Sequence, residues 1–328
     1  MTLKVVATKF FQELDQKYFS DSLCHLPVQF HFPSNEIPIN DFLLMHSGVD
    51  VFLGPPPDEQ HLIRNIRSLK LVQVPWSGLD ACNLSGVSSL NIPFANSHSN
   101  AKCVAEFAFS LWTSLAKYIP FHHYDLVFNG KNHRPGDKDG HFPSLSLSDS
   151  IFGIWGGGAI GRELITFLSP FAKRISICGG GRFSGTIDVD YYDKHEYIKF
   201  LKAVNVLFVC LPLSSLTRNI LNKQSIQYLP RGSLVVNIAR SALFDEDDLA
   251  HSLLSDHIKG FASDFNPALS SLILSNPSLR HKIIISPHRA GFVEHKLPHL
   301  DDAILNISRL ATCPRDNYSN CQLINLVQ

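Results

Sequence analysis

The sequence predicts an α/β protein in which short parallel strands alternate with helices. Short apolar segments bounded by Gly, Pro and Asn alternate with helical stretches along the whole chain. A glycine-rich motif stands between one apolar segment and a following helix. The length of 328 residues suits about two domains, each long enough to bury a core.

The first third of the chain predicts a sheet with covering helices. Apolar segments predict strands at residues 1–7, 28–30, 51–54, 69–74 and 90–92. Residues 58–68 predict a helix between two of these strands, and apolar periodicity predicts a longer helix over residues 101–118.

The middle of the chain repeats this alternation. Strands are predicted at residues 151–155, 175–178, 206–209, 234–236, 260–262 and 283–285. Their continuous apolar character is typical of a parallel sheet that is covered on both faces. The acidic residues 245–248 predict the start of a helix. The polar residues 129–150 predict a loop between two domains.

The glycine motif at residues 156–161 predicts a phosphate-binding turn, because it follows a strand and opens a helix. Gly156 permits the tight turn, Gly158 lets the backbone approach a pyrophosphate, and Gly161 lets the helix pack closely on the strand. The amides of Ala159 and Ile160 then point at the anion from the amino end of the helix. The alternative is a glycine-rich turn without a ligand.

The end of the following strand predicts a preference for NADP over NAD, with NAD as the second choice. Folds that bind NAD place Asp or Glu about 20 residues beyond the first glycine, where it contacts the ribose. Gly179 lies in that region here, and no carboxylate accompanies it. Arg182 is close enough to bind a 2′-phosphate. The alternative is a loose glycine turn with Arg182 in solvent.

The composition argues against several other classes of protein. The net charge is +0, which gives no electrostatic reason to expect a nucleic-acid or membrane partner. No apolar segment reaches membrane-spanning length, and the first residues predict a strand rather than a signal peptide. The seven cysteines are scattered without a Cys-x-x-Cys motif, so we expect neither a disulfide framework nor a metal site. A cytoplasmic location fits this pattern.

Five further motifs resemble, in the same order, those of the D-isomer-specific 2-hydroxyacid dehydrogenases. They are a substrate-carboxylate loop at residues 69–80, the start of an interdomain helix at 100–108, a Pro-Leu to Thr-Arg turn at 211–218, an arginine segment at 237–241 and a histidine segment at 286–291. The resemblance extends from about residue 69 to the end of the chain.

The resemblance implies a Rossmann dinucleotide-binding domain inserted into a flavodoxin-like substrate domain. The substrate domain would comprise residues 1–118 and 289–328, and the Rossmann domain residues 119–288. The active site would lie in the cleft between the two domains, and the family implies a homodimer formed through the Rossmann domain.

The resemblance also implies an oxidoreductase that transfers a hydride between NAD(P)H and a 2-oxo acid or D-2-hydroxy acid. Arg240 would hold the substrate carboxylate and polarise the carbonyl, since its guanidinium suits that geometry; the alternative is a surface arginine at a strand end. His288 would be the acid and base, because imidazole titrates near neutral pH. Ser77 and Gly78 would offer backbone amides to the carboxylate. Trp76 would form a wall of the pocket, and the alternative is that it is only a core aromatic.

Other positions are implied as contacts of the dinucleotide, among them Asp264, which would bond the nicotinamide amide. The alternative for Asp264 is a cap at the end of a strand. The full set of implied cofactor contacts is Val104, Gly156, Gly158, Ala159, Ile160, Gly161, Gly179, Arg182, Leu211, Pro212, Thr217, Ile238, Ala239, Arg240, Asp264, His288, Ala290 and Gly291.

One departure from the family concerns the partner of the histidine. The family places a glutamate a few residues after the aspartate, but residues 265–271 contain no carboxylate. A catalytically weak or inactive dinucleotide-binding regulatory or sensor protein is therefore the alternative function. Retention of both Arg240 and His288 favours an enzyme.

Overall fold

The structure is a computed structural model that describes residues 2–134, 144–181, 183, 185–265, 275–294, 296–314 and 321–327. The chain divides into two compact units. The first comprises Met1–Asn100 and Phe292–Gln328, and the second comprises Ala101–Gly291. The second unit is therefore an insertion in the sequence of the first.

The first unit is built on a five-stranded sheet that is parallel throughout. Its strands are β1 (Leu3–Ala7), β2 (Val28–His31), β3 (Val51–Leu53), β4 (Leu71–Gln73) and β5 (Phe94–Ala95). The order β2-β1-β3-β4-β5 is the flavodoxin-like order. The helices between them are α1 (Glu13–Ser22), α2 (Ile39–Leu44), α3 (Glu59–Asn65) and α4 (Ser85–Ser89).

The last part of the chain completes this first unit. A helix at Asp301–Thr312 places Ala303 and Ile307 in one core with Leu3 and Val5. Beyond it, Leu326 forms an antiparallel bridge with Ala95 on the edge strand β5. A strand edge that would otherwise expose unpaired backbone groups is thereby partly covered.

The second unit is built on a seven-stranded parallel sheet. Its strands are β6 (Ile151–Gly157), β7 (Arg174–Gly180), β8 (Asp190–Tyr192), β9 (Val206–Val209), β10 (Ser233–Asn237), β11 (Ile258–Ser263) and β12 (Ile283–Ile285). The order β12-β11-β10-β9-β6-β7-β8 contains the dinucleotide-binding order 3-2-1-4-5-6 with one further strand.

Two hydrophobic cores, one on each face, explain why these strands are apolar throughout. The helices of the unit are α5 (Ala101–Ala116), α6 (Ile119–Asn129), α7 (Ala159–Leu168), α8 (Tyr197–Lys202), α9 (Lys223–Ile226) and α10 (Glu246–Leu254), and the helix Asp301–Thr312 of the first unit is α11. In the first of these cores, α5 and α7 bury Trp112 and Leu164 against Phe152.

The structure differs from the sequence-based expectations at several places. The strand expected at residues 90–92 is wrong, because Asn91 adopts φ 53 in a turn and the strand forms at Phe94–Ala95 instead. The sequence predicts no disulfide framework, and it did not predict the one disulfide found among the described residues. Cys313 and Cys321 form a disulfide with their Cα atoms 5.9 Å apart, a proximity that scattered spacing in the sequence does not reveal.

The boundary between the two units also differs from the one expected at residue 118. The difference concerns the helix α5. It packs on α7, β10 and β11, so it lies in the second unit, and the division falls before Ala101. The polar segment 129–150 contains the end of α6, and loops follow at residues 130–134 and 144–150. Residues 135–143 of that expected loop lie outside the described part of the chain.

Candidate active site

Three neighbouring strands of the second unit end in register and bring Arg240, Asp264 and His288 to one edge. Pairing aligns Asn237 of β10 with Ser263 of β11, and Ser263 with Ile285 of β12. Because the strands are parallel, the segments that follow them leave the sheet at the same, carboxyl-terminal edge. Ligands of open α/β sheets bind at this edge.

The glycine loop after β6 has the geometry that the sequence predicts for a phosphate-binding turn. Gly156 has φ 112, and a Cβ there would lie 2.7 Å from the Cys210 carbonyl oxygen. A Cβ on Gly161 would collide with the Gly156 carbonyl oxygen. At Gly158, by contrast, a Cβ would meet no atom of the described residues within 4 Å, so these residues leave open space beside the backbone where α7 begins.

Helix α7 begins at Ala159 without a side-chain hydrogen bond from its N-cap residue, Gly158. Amides in the first turn of a helix have no acceptor within that helix, and the helix dipole favours an anion beside them. Ala159 and Ile160, both half-buried, provide two of these amides. The open space at Gly158 and this helix end together fit the pyrophosphate of a dinucleotide.

The end of β7 is formed by glycines that pack against the glycine loop. Gly179 and Gly180 have φ 74 and 81, and a Cβ on Gly180 would lie 2.7 Å from the Gly157 backbone. The Arg162 guanidinium lies beside the same turn, because a Cβ on Gly181 would be 2.8 Å from its Nη2. Arg182, the cation expected from the sequence, lies outside the described residues.

The loop after β9 is closed by Thr217. Its hydroxyl donates to the Pro212 carbonyl oxygen at 2.7 Å and accepts a hydrogen bond from the Ser214 amide at 2.8 Å. These bonds fix the turn that contains Leu211, which is half-buried, and Pro212, which is exposed. Cys210 precedes this turn, and burial raises the pKa of its thiol to about 12. The Cys210 side chain is therefore uncharged near neutral pH.

The segment after β10 is organised by the buried side chain of Asn237. Its amide nitrogen donates to the Arg240 carbonyl oxygen at 2.8 Å, and its oxygen accepts from the Ala239 amide at 3.0 Å. Ile238 and Ala239 are buried. The turn directs Arg240 outward, where its guanidinium is half-buried and donates to the Ala239 carbonyl oxygen at 2.8 Å.

Asp264 fixes the backbone next to His288. The Asp264 side chain is 1% exposed, and its two oxygens accept hydrogen bonds from the Arg289 and Ala290 amides, both at 2.8 Å. His288 has φ 55, a left-handed conformation that is uncommon for residues other than glycine. The carboxylate thus holds the two amides that follow this strained residue.

Phe265 contacts both of the predicted catalytic side chains. The Phe265 ring centroid lies 4.3 Å from that of His288 and 5.2 Å from the Cζ atom of Arg240. His288 is exposed, and its ring is inclined at 46° to the phenylalanine ring. The structure therefore places Arg240 and His288 against one aromatic side chain.

Three more predicted cofactor contacts lie in the same unit. Val104 and Ala290 are buried in one hydrophobic core with the β6 residues Phe152 and Ile154, and Gly291 is half-buried at the end of the unit. Val104 and Ala290 therefore stabilise the core of the dinucleotide-binding sheet.

The predicted substrate residues Trp76, Ser77 and Gly78 follow β4 in the first unit. The Ser97 amide donates to the Trp76 carbonyl oxygen at 3.2 Å, and the Asn96 side chain donates to the Ser77 carbonyl oxygen at 2.9 Å. Among the described residues, the amides of Ser77 and Gly78 have no hydrogen-bond acceptor. The loop is thus fixed through its carbonyls and keeps two donors available.

Sequence reasoning missed several residues that shape these sites. Asn237 lies in the arginine segment 237–241 and Asn96 lies just after β5, and an Asn beside a strand end is a recognisable turn signal. Arg162 follows the glycine motif directly, but the sequence does not give the direction of its side chain. Phe265 and Lys9, whose ammonium lies 4.8 Å from the Trp76 ring centroid, gave no local signal.

The described part of the chain lacks two features that characterise other classes of protein. No cluster of three or more His, Cys, Asp or Glu residues is arranged to hold a metal ion. No helix there is both long and apolar enough to cross a membrane. A cavity of about 920 Å³ in the first unit is lined by Lys4, Asp50 and Lys70 at the amino-terminal ends of the strands, whereas the predicted substrate residues 76–78 follow the carboxyl-terminal end of β4.

Comparisons with known proteins agree with this geometry. A family model described as "D-isomer specific 2-hydroxyacid dehydrogenase, NAD binding domain" matches residues 110–290. An aromatic 2-oxoacid reductase of Clostridium sporogenes is 26% identical over 241 residues, which are 70% of this chain and 67% of that protein. Formate dehydrogenase 2 of Oryza sativa subsp. japonica is 26% identical over 206 residues, 62% of this chain and 53% of that enzyme.

The similarity of fold extends along the whole chain. A D-isomer specific 2-hydroxyacid dehydrogenase from Xanthobacter autotrophicus Py2, solved with NADPH and MES, superposes with a TM-score of 0.71 at 20% identity. That match covers 100% of this chain and 98% of the other. Because the family model matches just over half of the sequence, the chain belongs to the D-isomer specific 2-hydroxyacid dehydrogenase family.

Proposed function

We propose that the protein is an NAD(P)-dependent oxidoreductase that interconverts a 2-oxo acid and a D-2-hydroxy acid. The observation that carries the proposal is the contact of Arg240 and His288 with one phenylalanine ring, at the sheet edge that also carries the glycine loop. The relatives named above are dehydrogenases or reductases, and they give no support to a regulatory role.

The two polar side chains have complementary roles in this proposal. The Arg240 guanidinium binds the substrate carboxylate and draws electron density from the neighbouring carbonyl. The His288 imidazolium gives a proton to the oxygen that becomes the alcohol, and the neutral imidazole takes it back in the reverse reaction. Asp264 holds the backbone beside His288, and Phe265 limits the positions of both side chains.

The glycine loop and the amino end of α7 would hold the dinucleotide. Gly158 leaves room for the pyrophosphate, and the first amides of α7 donate to it. When bound, the nicotinamide supplies or accepts the hydride. The protein's own contribution is to bind and orient the substrate and to move the proton at the carbonyl oxygen.

The test is a panel of 2-oxo acids assayed with NADPH and NADH, for the wild type and for two variants. Arg240→Gln should raise KM and lower kcat together, because binding and polarisation are both lost. His288→Gln should lower kcat by about 10²- to 10⁴-fold. Arg280→Gln and His195→Gln, at exposed positions of the same unit, are the matched controls. Absence of turnover with every acid would contradict the proposal.

We also propose that NADPH is preferred over NADH. The turn at Gly179 carries no carboxylate that would repel a 2′-phosphate, and the Arg162 guanidinium lies beside it. Arg162→Gln and Arg182→Gln should each weaken NADPH binding more than NADH binding, measured as two dissociation constants. Arg174→Gln, which removes a cation at the opposite end of β7, is the control. A wild type that binds NADH more tightly would contradict this preference.

We propose, finally, that the protein is a homodimer that pairs through α6. This helix exposes four large apolar side chains, each more than half exposed, which would be covered by a second copy of the same surface. They are Ile119, Leu126, Val127 and Phe128. Sedimentation equilibrium should give twice the chain mass, and the double variant Val127→Asp/Phe128→Asp should give the monomer mass. A wild type that sediments as a monomer at every concentration would contradict the dimer.

A further inference from the structure

The side chain of Lys9 contacts the predicted substrate loop of the first unit, which contains Trp76, Ser77 and Gly78. The Lys9 ammonium sits over the Trp76 ring, 4.8 Å from its centroid. Lys9 follows β1, and Trp76 follows β4, so both belong to the carboxyl-terminal edge of the same parallel sheet. The aromatic face attracts the ammonium and limits where the flexible side chain can go.

The backbone beside Lys9 is fixed by its neighbour Thr8. The Thr8 amide donates to the Leu53 carbonyl oxygen at 2.8 Å, and the Thr8 hydroxyl donates to the Pro55 carbonyl oxygen at 2.5 Å. Gly54 is required between these two acceptors, because it has φ 121 and a Cβ there would lie 2.6 Å from the Thr8 hydroxyl. Lys9 therefore starts from a rigid position.

The Lys9 ammonium and the loop amides are two separate groups that can each bind an anionic group of a ligand. Ser77 and Gly78 keep their amides available, as described above. Lys9 is exposed, and among the described residues no carboxylate lies within 4 Å of its ammonium. An ammonium held on an aromatic face still has donors directed away from the ring.

The negative charge of Asp80 opposes the attraction of an anionic ligand by Lys9. Burial raises the pKa of the Cys82 thiol, Asp80 raises it further, and Lys9 lowers it, so both charges lie near Cys82. Asp80 must weaken the attraction of an anion to this part of the loop, and its removal provides a second test.

We propose that Lys9 recognises a second anionic group on the substrate, so that the preferred substrates are 2-oxo dicarboxylic acids. This inference rests on the proposed reduction of 2-oxo acids and deepens it. The Ser77 and Gly78 amides, which follow β4 in the same unit as Lys9, would bind the α-carboxylate, and the distal carboxylate would pair with the Lys9 ammonium beside Trp76.

The kinetic test compares 2-oxosuccinate with 2-oxobutyrate, which have four carbons each and differ by the distal carboxylate. The wild type should have the higher kcat/KM for 2-oxosuccinate. Lys9→Met keeps the length of the side chain and should lower the ratio of the two kcat/KM values by about 10- to 100-fold. Lys17→Met, on the exposed face of α1, should leave the ratio unchanged. Asp80→Asn should raise it.

A binding test is independent of turnover. Trp112 and Trp155 are buried, at 0% and 3% exposure, so ligand-dependent changes in tryptophan emission should come from Trp76. Each 2-oxo acid is titrated in the presence of oxidised dinucleotide, where no hydride can be transferred. 2-Oxosuccinate should change the emission at lower concentration than 2-oxobutyrate, and Lys9→Met should remove the difference. Trp76→Phe should remove the signal.

The outcomes separate this inference from the proposed function. If no 2-oxo acid is turned over, the proposed function fails, and the titration still shows whether Lys9 selects dicarboxylates. If Lys9→Met weakens both acids equally in the two experiments, Lys9 binds the α-carboxylate and the inference is overturned. A wild type that does not favour 2-oxosuccinate in either experiment also overturns it.

Discussion

The ring of Phe265 lies 4.3 Å from the ring of His288, and it is the side chain on which the geometry of the proposed active site depends. Phe265→Ala should leave His288 and Arg240 free to adopt other rotamers. We expect kcat to fall by about 10-fold or more, because small misplacements of reacting groups are costly.

Phe265→Tyr retains the aromatic ring, so its kcat should stay close to the wild-type value. If the ring contact with Arg240 and His288 had no role, the Ala and Tyr variants should not differ in this way. Phe171→Ala, at a partly exposed position, is the control. Steady-state kinetics of all three variants give the result. A Phe265→Ala enzyme with wild-type kcat would show that the contact is incidental.

The carboxylate of Asp264 should be needed for both stability and activity. In Asp264→Asn, the side-chain oxygen can accept one of the two backbone amides, and its own NH₂ group faces the other. We expect the free energy of unfolding to fall by about 2 kcal/mol, and kcat to fall with it. Urea denaturation and steady-state kinetics provide the measurements.

Asp190→Asn is the control for this experiment, since Asp190 forms an exposed ion pair with Arg174. Exposed pairs contribute little, and this variant should stay within about 1 kcal/mol of the wild type. Equal stability of the Asp264→Asn and wild-type proteins would contradict the role given to the buried carboxylate.

Replacing glycine by alanine should reduce dinucleotide affinity at Gly158 and protein stability at Gly161. Gly158→Ala places a Cβ in open space, so the melting temperature should change little while the dissociation constant of the dinucleotide rises. Gly161→Ala forces a Cβ onto the Gly156 carbonyl and Ile154, and should cost about 1–3 kcal/mol of stability. Thermal melts and equilibrium titrations distinguish them. Unchanged dinucleotide affinity in Gly158→Ala would contradict the pyrophosphate site.

The protein should lose stability as the pH falls below about 6.5. Burial lowers the pKa of seven histidines in the folded state, namely His31, His46, His61, His98, His122, His281 and His299. The unfolded chain binds protons at the ordinary histidine pKa of about 6.5, so it takes up more protons than the folded chain below that pH. The free energy of unfolding should therefore decrease from about pH 7.5 to about pH 5.

His61 offers a single-residue test of this dependence. It is 2% exposed, and neither ring nitrogen has a hydrogen-bond partner among the residues that the structure describes. His61→Leu should reduce the loss of stability on acidification, whereas His195→Leu, at an exposed position, should not. Urea denaturation of both variants at several pH values measures the slopes. Identical slopes for His61→Leu and wild type would show that His61 does not contribute.

The sequence predicts the glycine loop and the strand edge well because both depend on local signals. A glycine motif between a strand and a helix identifies its own geometry, and the motifs around Arg240 and His288 identify the ends of their strands. The contact of Phe265 with Arg240 and His288 could not be predicted in this way. It depends on the register that aligns Asn237, Ser263 and Ile285 across three strands, and the sequence does not reveal that register.

Short elements were harder to predict for a related physical reason. Strand β5 has two residues, and it is held by β4 on one side and by Leu326, more than 200 residues later, on the other. Residues 90–92 have a stronger apolar pattern, but the left-handed Asn91 prevents a strand there. Long-range pairing overrides local propensity at such places.

The C-terminal helix and tail have a consequence for how the protein is synthesised. Leu3 and Val5 belong to a core that also requires Ala303 and Ile307, whereas the second unit contains its own strands and cores between residues 101 and 291. During translation, the inserted unit can therefore fold while the first hundred residues still await their last helix. Those early residues should stay incompletely folded until the helix Asp301–Thr312 has emerged from the ribosome, and chaperones would be most needed during this interval.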